Sequence, residues 1–407
     1  HGRPGPGHRF QGVEMRVSRV FAVLAICVGI LVAACTSPSA SPSSSGTGSE
    51  SAAPSEAAYT PAEVSVVLQW VPQSQFAGVY AAQALGYYDD VALTVNIIPG
   101  GPDVAPQVEG SKPDGPEFAV SWVPKVLQAR ESDTGSDLVD IAQIFQRSAT
   151  LSVSWKDSAI TSVADFAGQK VGAWGFGDEL EVVASATLEG LTDGVDYTRV
   201  TQPFDMSLLI NAYDGCAPAD TDCVNVAEAM TYNEYAQLLE TTNPDTGELF
   251  QPEDLNIIDY NEVGTAMLQD AIFARASWLN EGNNEEVATR FLEATFRGWI
   301  YCRDNAEACL NIVLDAGTAL GEGHQRWQLN EINALIWPSA RGIGNLSPVS
   351  WQQMVDTALA GGILAAAPSD TAFRTDLADA ALAEITDQDT KGLDYQKAVV
   401  EITPGGE

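Results

Sequence analysis

Along the chain, short apolar runs rich in Val, Ile and Leu alternate with longer stretches in which apolar positions recur at helical spacing. Strands are predicted at 64–70, 93–98, 118–121, 138–145, 151–155, 170–174, 224–227, 256–258 and 271–274. Between the first two, 75–85 reads as a helix ending at Gly86, and Pro99-Gly100-Gly101-Pro102 closes the second strand. From 285 onward the pattern is helical, at 285–301, 305–314, 325–336 and 350–359. Strand and helix in alternation predict an α/β fold with mainly parallel sheets and a helical C-terminal part.

The N-terminal pattern is of another kind. Arg16 and Arg19 precede a 15-residue apolar run at 20–34, too short to span a bilayer comfortably and ending Leu31-Val32-Ala33-Ala34-Cys35. A basic segment, an apolar core and small residues before a cysteine resemble a bacterial lipoprotein signal, with Cys35 as the lipidated first residue of the exported chain. Residues 1–14, ahead of Met15, are set aside with the signal, so 1–34 is excluded from the folded protein. The segment 35–60 is nearly all Ser, Ala, Pro, Gly and Thr after its cysteine, which cannot bury enough apolar surface to fold. It is expected to be a flexible tether reaching roughly 25 Å.

Charge narrows the partners. With 20 Lys+Arg against 55 Asp+Glu, the 407-residue chain carries a formal charge of −35, and maturation at Cys35 leaves −38. Nothing here resembles the clustered cations that neutralise phosphates, which argues against nucleic acid as a partner and disfavours anionic lipid surfaces. Membrane contact is expected through the lipid anchor alone, and the folded part is expected to be a monomer. After the signal, Cys216, Cys223, Cys302 and Cys309 form two close pairs, predicting two local disulfides and an oxidising compartment. A four-cysteine zinc site is the rival, but neither pair has the expected spacing, and no metal is expected. In one unbroken helix Cys302 and Cys309 would lie about 10 Å apart, beyond disulfide reach, so their pairing predicts a turn at Arg303-Asp304-Asn305, with Asp304 or Asn305 capping the next helix.

Several motifs then become specific. The segment Leu68-Gln69-Trp70-Val71-Pro72-Gln73-Ser74-Gln75-Phe76-Ala77-Gly78-Val79-Tyr80, with Gly86-Tyr87-Tyr88 and Pro99-Gly100-Gly101-Pro102, opens the series. Lys170-Val171-Gly172-Ala173-Trp174-Gly175-Phe176-Gly177, Met230-Thr231-Tyr232-Asn233-Glu234-Tyr235 and Phe291-Leu292-Glu293-Ala294-Thr295-Phe296-Arg297-Gly298-Trp299 follow in order. The series resembles the ABC-transporter substrate-binding proteins of the thiamine-pyrimidine-precursor type, within the sulfonate, nitrate and taurine receptor superfamily. It covers most of 64–310. The resemblance implies a two-lobed periplasmic-binding-protein-like clamp of type II on the extracytoplasmic face of the membrane, delivering a small ligand to a permease and its ATPase. On this reading 61–146 and 262–407 form lobe one, and 147–261 forms lobe two.

The cleft of such a clamp lies at the C-terminal ends of strands, where loops present side chains and backbone donors. Trp70, Gln75 and Phe76 follow the first strand, and Ser121 and Trp122 a later one in the same lobe. Trp174, Phe176, Gly177 and Glu179 form a strand-to-helix turn across the cleft, and Tyr232, Asn233 and Glu234 complete the candidate ligand set. Aromatic faces with amides and carboxylates suit a flat, neutral or weakly basic heterocycle. An anion would meet Asp178 and Glu179 at the glycine-rich turn, unless folding brings in a cation such as Arg147. A thiamine-related pyrimidine and the flavin ring of riboflavin both fit.

The pyrimidine-binding pattern after the first strand often reads Pro-Asn-Thr-Asn-His, whereas this chain has Pro72-Gln73-Ser74-Gln75-Phe76. Replacing imidazole by phenyl weighs toward a larger aromatic ligand such as riboflavin. It also weighs against the enzymatic relatives of this fold, which make the pyrimidine with pyridoxal phosphate using a histidine at that position and a cysteine cluster. No cofactor is expected. His324 is the only histidine after the signal and opens a helix, where a surface or capping role is expected.

Overall fold

In a computed structural model, which describes residues 59–132 and 136–407, ten strands form two five-stranded sheets. They are β1 (Ala62–Val67), β2 (Leu93–Ile98), β3 (Phe118–Ser121), β4 (Leu138–Gln143), β5 (Thr150–Trp155), β6 (Lys170–Ala173), β7 (Thr198–Thr201), β8 (Val226–Met230), β9 (Leu255–Asp259) and β10 (Ala271–Arg275). The first sheet has the order β2-β1-β3-β10-β4 and the second β7-β6-β8-β5-β9. Every residue of β3, β4, β5, β8 and β10 is buried, as expected of strands covered on both faces. The signal, Cys35 and nearly all of the tether lie outside the described residues.

The sheets are mixed where the sequence predicted mainly parallel ones. In each, two pairings are parallel and two antiparallel. The antiparallel pairings all involve β5 or β10, the first strand formed after the chain crosses from one sheet to the other. Such a strand enters from the far end, so it runs against its neighbours. β7 was not predicted, because Thr198–Thr201 is a largely exposed edge strand with no apolar alternation. The helix Asp376–Glu384 also went unpredicted.

The two crossings are laced together by side-chain amides. Asn261 Nδ2 donates to the Ser148 carbonyl at 2.8 Å, and the Ser148 N–H donates back to Asn261 Oδ1 at 3.1 Å. Gln269 accepts from the Ala149 N–H at 2.8 Å and donates to Thr150 Oγ1 at 2.7 Å. Beside them Glu181 accepts from Ser148 Oγ and the Met267 N–H.

Around the first sheet, the helix Asn284–Asp304 packs on Ala77–Ala84 through two glycines. A Cβ on Gly298 would lie 2.0 Å from the Gly78 carbonyl oxygen, and one on Gly78 would lie 2.3 Å from the Trp299 ring. Only glycine allows that approach. The helix breaks where the cysteine pair required it, with Ala306–Asp315 beginning after Asn305. Cys302 pairs with Cys309 at a Cα separation of 5.0 Å, and Cys216 with Cys223 at 5.8 Å. Asn305 occupies the cap position, but its amide donates back to Tyr301 instead of capping with an oxygen.

The final residues run along the helix Glu322–Ile336, where Asn330 and Ala398 exchange two hydrogen bonds and Lys397 pairs with Glu331. Ile402 then packs on the core of the second sheet, and the Gly405 N–H donates to the Glu240 carbonyl at 3.0 Å. A Cβ on Gly321 would lie 2.4 Å from the Gly406 carbonyl oxygen. No helix among the described residues is long and apolar enough to cross a membrane.

Burial pushes the Asp140 and Glu181 carboxyls up to about 8, so the folded chain holds two protons that the unfolded chain releases near pH 4. Raised folded values stabilise fully at acid pH, and that contribution is lost as pH rises through about 8. The thermal midpoint should therefore fall by at least about 3 °C between pH 5 and pH 8. Asp140→Asn should flatten that slope in a calorimetric pH series, and an unchanged slope would remove Asp140 as its source.

Candidate functional site

Both sheets present loops to one cleft. On the side of the first sheet, β1 runs on into Gln69 and Trp70, and a 3₁₀ turn at Ser74–Phe76 starts the next helix. Ser74 is pinned by Gln325, which accepts from its N–H at 2.8 Å. From there an amide chain crosses the floor. Gln73 Nε2 donates to Gln75 Oε1 at 2.7 Å, and Gln75 Nε2 to Asp270 Oδ2 at 2.8 Å. Trp122 Nε1 donates to Asp270 Oδ1 at 2.8 Å. Burial pushes the Asp270 carboxyl up to about 7 against the pull of those two donors.

From the second sheet, β6 ends in the turn Trp174-Gly175-Phe176-Gly177-Asp178-Glu179 before the helix Leu180–Leu188. Phe176 and Gly177 both adopt positive φ, 64° and 90°, which swings the Phe176 side chain out to 83% exposure. Beneath the turn the Trp174 N–H donates to Glu228 Oε2 at 2.9 Å. Burial, with Asp178, Glu179 and Glu181 nearby, drives the Glu228 carboxyl well above its ordinary range. Asp178 reaches across the cleft to Lys125 at 2.8 Å, and both side chains are nearly enclosed. Gln69 Nε2 approaches the same carboxylate oxygen at 3.4 Å.

Between these walls lies a cavity of about 50 Å³. Of the predicted ligand set, Trp70, Gln75, Trp122, Trp174, Tyr232, Asn233 and Glu234 line it. Phe76 does not, being turned into the core against Val79 and Trp299. Ser121 is fully buried behind Trp122 at the end of β3. Phe176 stands on an outer rim, Gly177 abuts Lys125, and Glu179 pairs with Arg199 at 3.2 Å. Asp178 lines the cavity where Glu179 was expected to.

Gln69, Gln73, Phe204 and Met230 complete the lining and were not anticipated. The Phe204 ring stands between Trp70, at 4.5 Å, and Trp174, at 6.2 Å and within 19° of parallel. Its sequence signal was hidden, because it follows the unrecognised edge strand β7. Two buried polar atoms in the lining, Trp174 Nε1 and Gln69 Oε1, have no hydrogen-bond partner in the chain. Arg147 stays out of the cleft and donates to the carbonyls of Ala334, Leu335, Trp337 and Pro338.

His324 corrects a second expectation. It is 1% exposed and lies neither at the surface nor in a cap. Its Nδ1 meets the Glu240 carboxylate at 2.9 and 3.1 Å, and its Nε2 meets Asn233 Oδ1 at 2.9 Å. Asn233 Nδ2 in turn donates to Glu234 Oε1, whose partner oxygen accepts from the Met230 N–H. The polar atoms of Asn233 and Glu234 are thus largely used within the chain. Tyr232 is buried, and with Asp270, Glu234 and Asp178 around it, its hydroxyl stays protonated.

The sequence profile of the family described as NMT1/THI5 like matches residues 73–308, more than half of the chain, which therefore belongs to that family. The riboflavin-binding protein RibY of Chloroflexus aurantiacus is 23% identical over 355 residues, covering 84% of this chain and 93% of the relative. A formylaminopyrimidine-binding protein of Halalkalibacterium halodurans is 25% identical over 252 residues, covering 62% of this chain and 69% of the relative. The periplasmic aliphatic sulphonate binding protein SsuA of Escherichia coli has the same fold, with a TM-score of 0.52 at 14% identity, over 74% of this chain and 86% of that one. The architecture is the two-lobed clamp of periplasmic binding proteins.

An ion pair this enclosed is costly to break from one side. Asp178→Asn, which strands the Lys125 ammonium, should lower the unfolding free energy by about 3 kcal/mol in urea titrations. Lys125→Met combined with Asp178→Leu should cost clearly less. Equal losses for the two variants would show that the pair is not desolvated as described.

Proposed function

We propose that the chain is the extracytoplasmic receptor of an ABC importer, binding a planar nitrogen heterocycle and delivering it to a permease driven by its ATPase. The thiamine-related pyrimidine precursors and riboflavin are the two ligands in view. The observation that carries this reading is the cleft itself. Three indoles, a phenyl and a phenol wall it, and a buried donor and a buried acceptor, Trp174 Nε1 and Gln69 Oε1, stand without partners in the chain. A flat ring bearing both donors and acceptors satisfies them while stacking on the aromatic faces. The one cation among the described residues of the cleft walls, Lys125, is already paired, which disfavours nitrate, sulfonates and taurine. The names of two relatives, riboflavin-binding and formylaminopyrimidine-binding, support the same class.

The proposed ligand contacts are Trp70, Gln75, Trp122, Trp174 and Tyr232, with Gln69, Asp178 and Phe204 added. Phe76, Ser121, Gly177 and Glu179 act from behind the walls. We assign 61–146 and 262–407 to one lobe and 147–261 to the other, in keeping with the membership of the two sheets. Anchoring through Cys35 and a monomeric state belong to the same proposal. The reading is of a receptor and not an enzyme. Phe76, at the position where the pyrimidine-making relatives carry a histidine, is a core residue here.

The test is a thermal-shift panel of hydroxymethylpyrimidine, thiamine, riboflavin, taurine and nitrate. A ligand at a hundredfold its dissociation constant should stabilise the fold by about 2.7 kcal/mol. Stabilisation by a heterocycle is expected, and Trp174→Ala should weaken its binding by about 1 kcal/mol or more. Shifts with taurine or nitrate alone would overturn the heterocycle reading.

A further inference from the structure

Behind the cavity wall, contacts run from Glu240 to His324, from His324 to Asn233 and from Asn233 to Glu234, at 2.9, 2.9 and 2.6 Å. The second Glu234 oxygen accepts from the Met230 N–H. Each side-chain contact needs one hydrogen between its heavy atoms. A neutral imidazole supplies one and the Asn233 amide another, while ionised Glu234 and Glu240 only accept. Three contacts therefore have two hydrogens. With Asn233 Nδ2 facing Glu234 and Oδ1 facing Nε2, the missing one falls to the ring, which must be protonated on both nitrogens. Turning the amide over moves the shortfall to Glu234 without removing it, because Oδ1 would then face a carboxylate.

We infer that these four side chains share one extra proton, and that His324, by holding it, is a positioning residue for the ligand-binding wall. The link to ligand affinity rests on the receptor reading above; the shared proton does not. Met230, Tyr232, Asn233 and Glu234 all line the cavity. Glu234 ties Met230 and His324 ties Asn233, with Tyr232, a proposed ligand contact, between the two ties. All four members of the hydrogen-bond chain are buried, and Gly406 closes its far side, where a Cβ would lie 2.8 Å from that of His324 and 3.0 Å from Glu240 Oε2. Two acceptors left facing each other in such a place are costly. Burial raises the Glu234 carboxyl, which favours keeping a proton there.

The charges around the ring are few. Glu234 and Glu240 flank the helix turn Glu234–Leu239 and are the carboxylates that act on it. From the final strip it meets the backbone of Gly406, with Glu407 beside Gly323. On its own helix Arg326 is taken up by Glu322 and by Glu307 of the preceding helix, all toward solvent. The turn at Ser74–Phe76 meets this helix through Ser74 and Gln325, both uncharged. Asp270, which burial pushes up to about 7, lies under the same cavity through Gln75 and Trp122 but outside this set of contacts.

Apart from His1 and His8, His324 is the only histidine of the chain, so its ring can be followed directly by NMR. Without ligand, both ring nitrogens should be protonated at pH 6, and as pH rises the ring, the Asn233 amide and the Glu234 carboxyl signals should change in one step. A ring with a bare nitrogen at pH 6, beside two ionised carboxylates, would overturn the shared proton. Riboflavin, uncharged across this range, is the binding probe, and its affinity should fall ~10-fold or more between pH 6 and pH 8. Glu240→Gln supplies the third hydrogen from an amide at one end, and Glu234→Gln from the other, so each should remove most of that fall. A fall of undiminished size in both variants would assign it to Asp270 and overturn the positioning role, as would an affinity in the native chain that does not change with pH. Silence of riboflavin and hydroxymethylpyrimidine at both pH values, with the NMR step intact, would overturn the heterocycle reading and leave the shared proton standing.

Discussion

The contact between Lys125 and Asp178 sets the geometry of everything around the cleft. Lys125 stands on the helix that follows β3 and Asp178 on the turn that follows β6, so the pair ties the end of a strand of one sheet to the end of a strand of the other. Two charges taken out of water recover their hydration only through close contact and further hydrogen bonds, which is why Gln69 is drawn toward the same carboxylate. The turn that delivers Asp178 is bent to suit. A Cβ at Gly177 would lie 3.1 Å from the Lys125 stem, and the positive φ values at Phe176 and Gly177 aim one side chain outward so that the next points in.

Burial raises the Asp178 carboxyl against the pull of Lys125, and the other carboxyls of the site share that burial. Asp270 beneath Gln75 and Trp122, Glu228 beneath Trp174 and Glu234 beside Asn233 are all buried, and burial raises each of them toward the neutral acid. In a chain with a net charge of −35, burial thereby opposes ionisation of these three carboxyls. The acids beneath the cleft act as fixed hydrogen-bonding struts that orient an indole or an amide.

Legibility in the sequence tracked locality. β-branched runs disclosed the interior strands, and the cysteine spacing disclosed the break at Asn305, because each depends on a few neighbouring residues. The order of motifs along the chain disclosed the fold. What was hidden depends on residues far apart in sequence. Phe204 reads as an ordinary loop aromatic until folding sets it between Trp70 and Trp174, and His324 reads as a helix opener until Glu240 and Asn233 close around it. Of the adjacent pair Asp178 and Glu179, only backbone dihedrals that sequence does not specify decide which one faces the cleft. The edge strand β7 went unread because, with one partner and little burial, it lacks an apolar signature.

The final run of the described chain, laid along Glu322–Ile336 and anchored at Glu240, has a kinematic consequence. Two lobes joined by two adjacent crossings can swing apart and also twist about the axis between them. A third strip of backbone also joins the two sides, through Ile402 and Gly405, and adds a contact against either motion. Close packing of Gly406 on Gly321 fixes the same strip to the start of the helix Glu322–Ile336. The strip thereby touches the cavity wall at second hand, since Glu240 holds His324 and His324 holds Asn233.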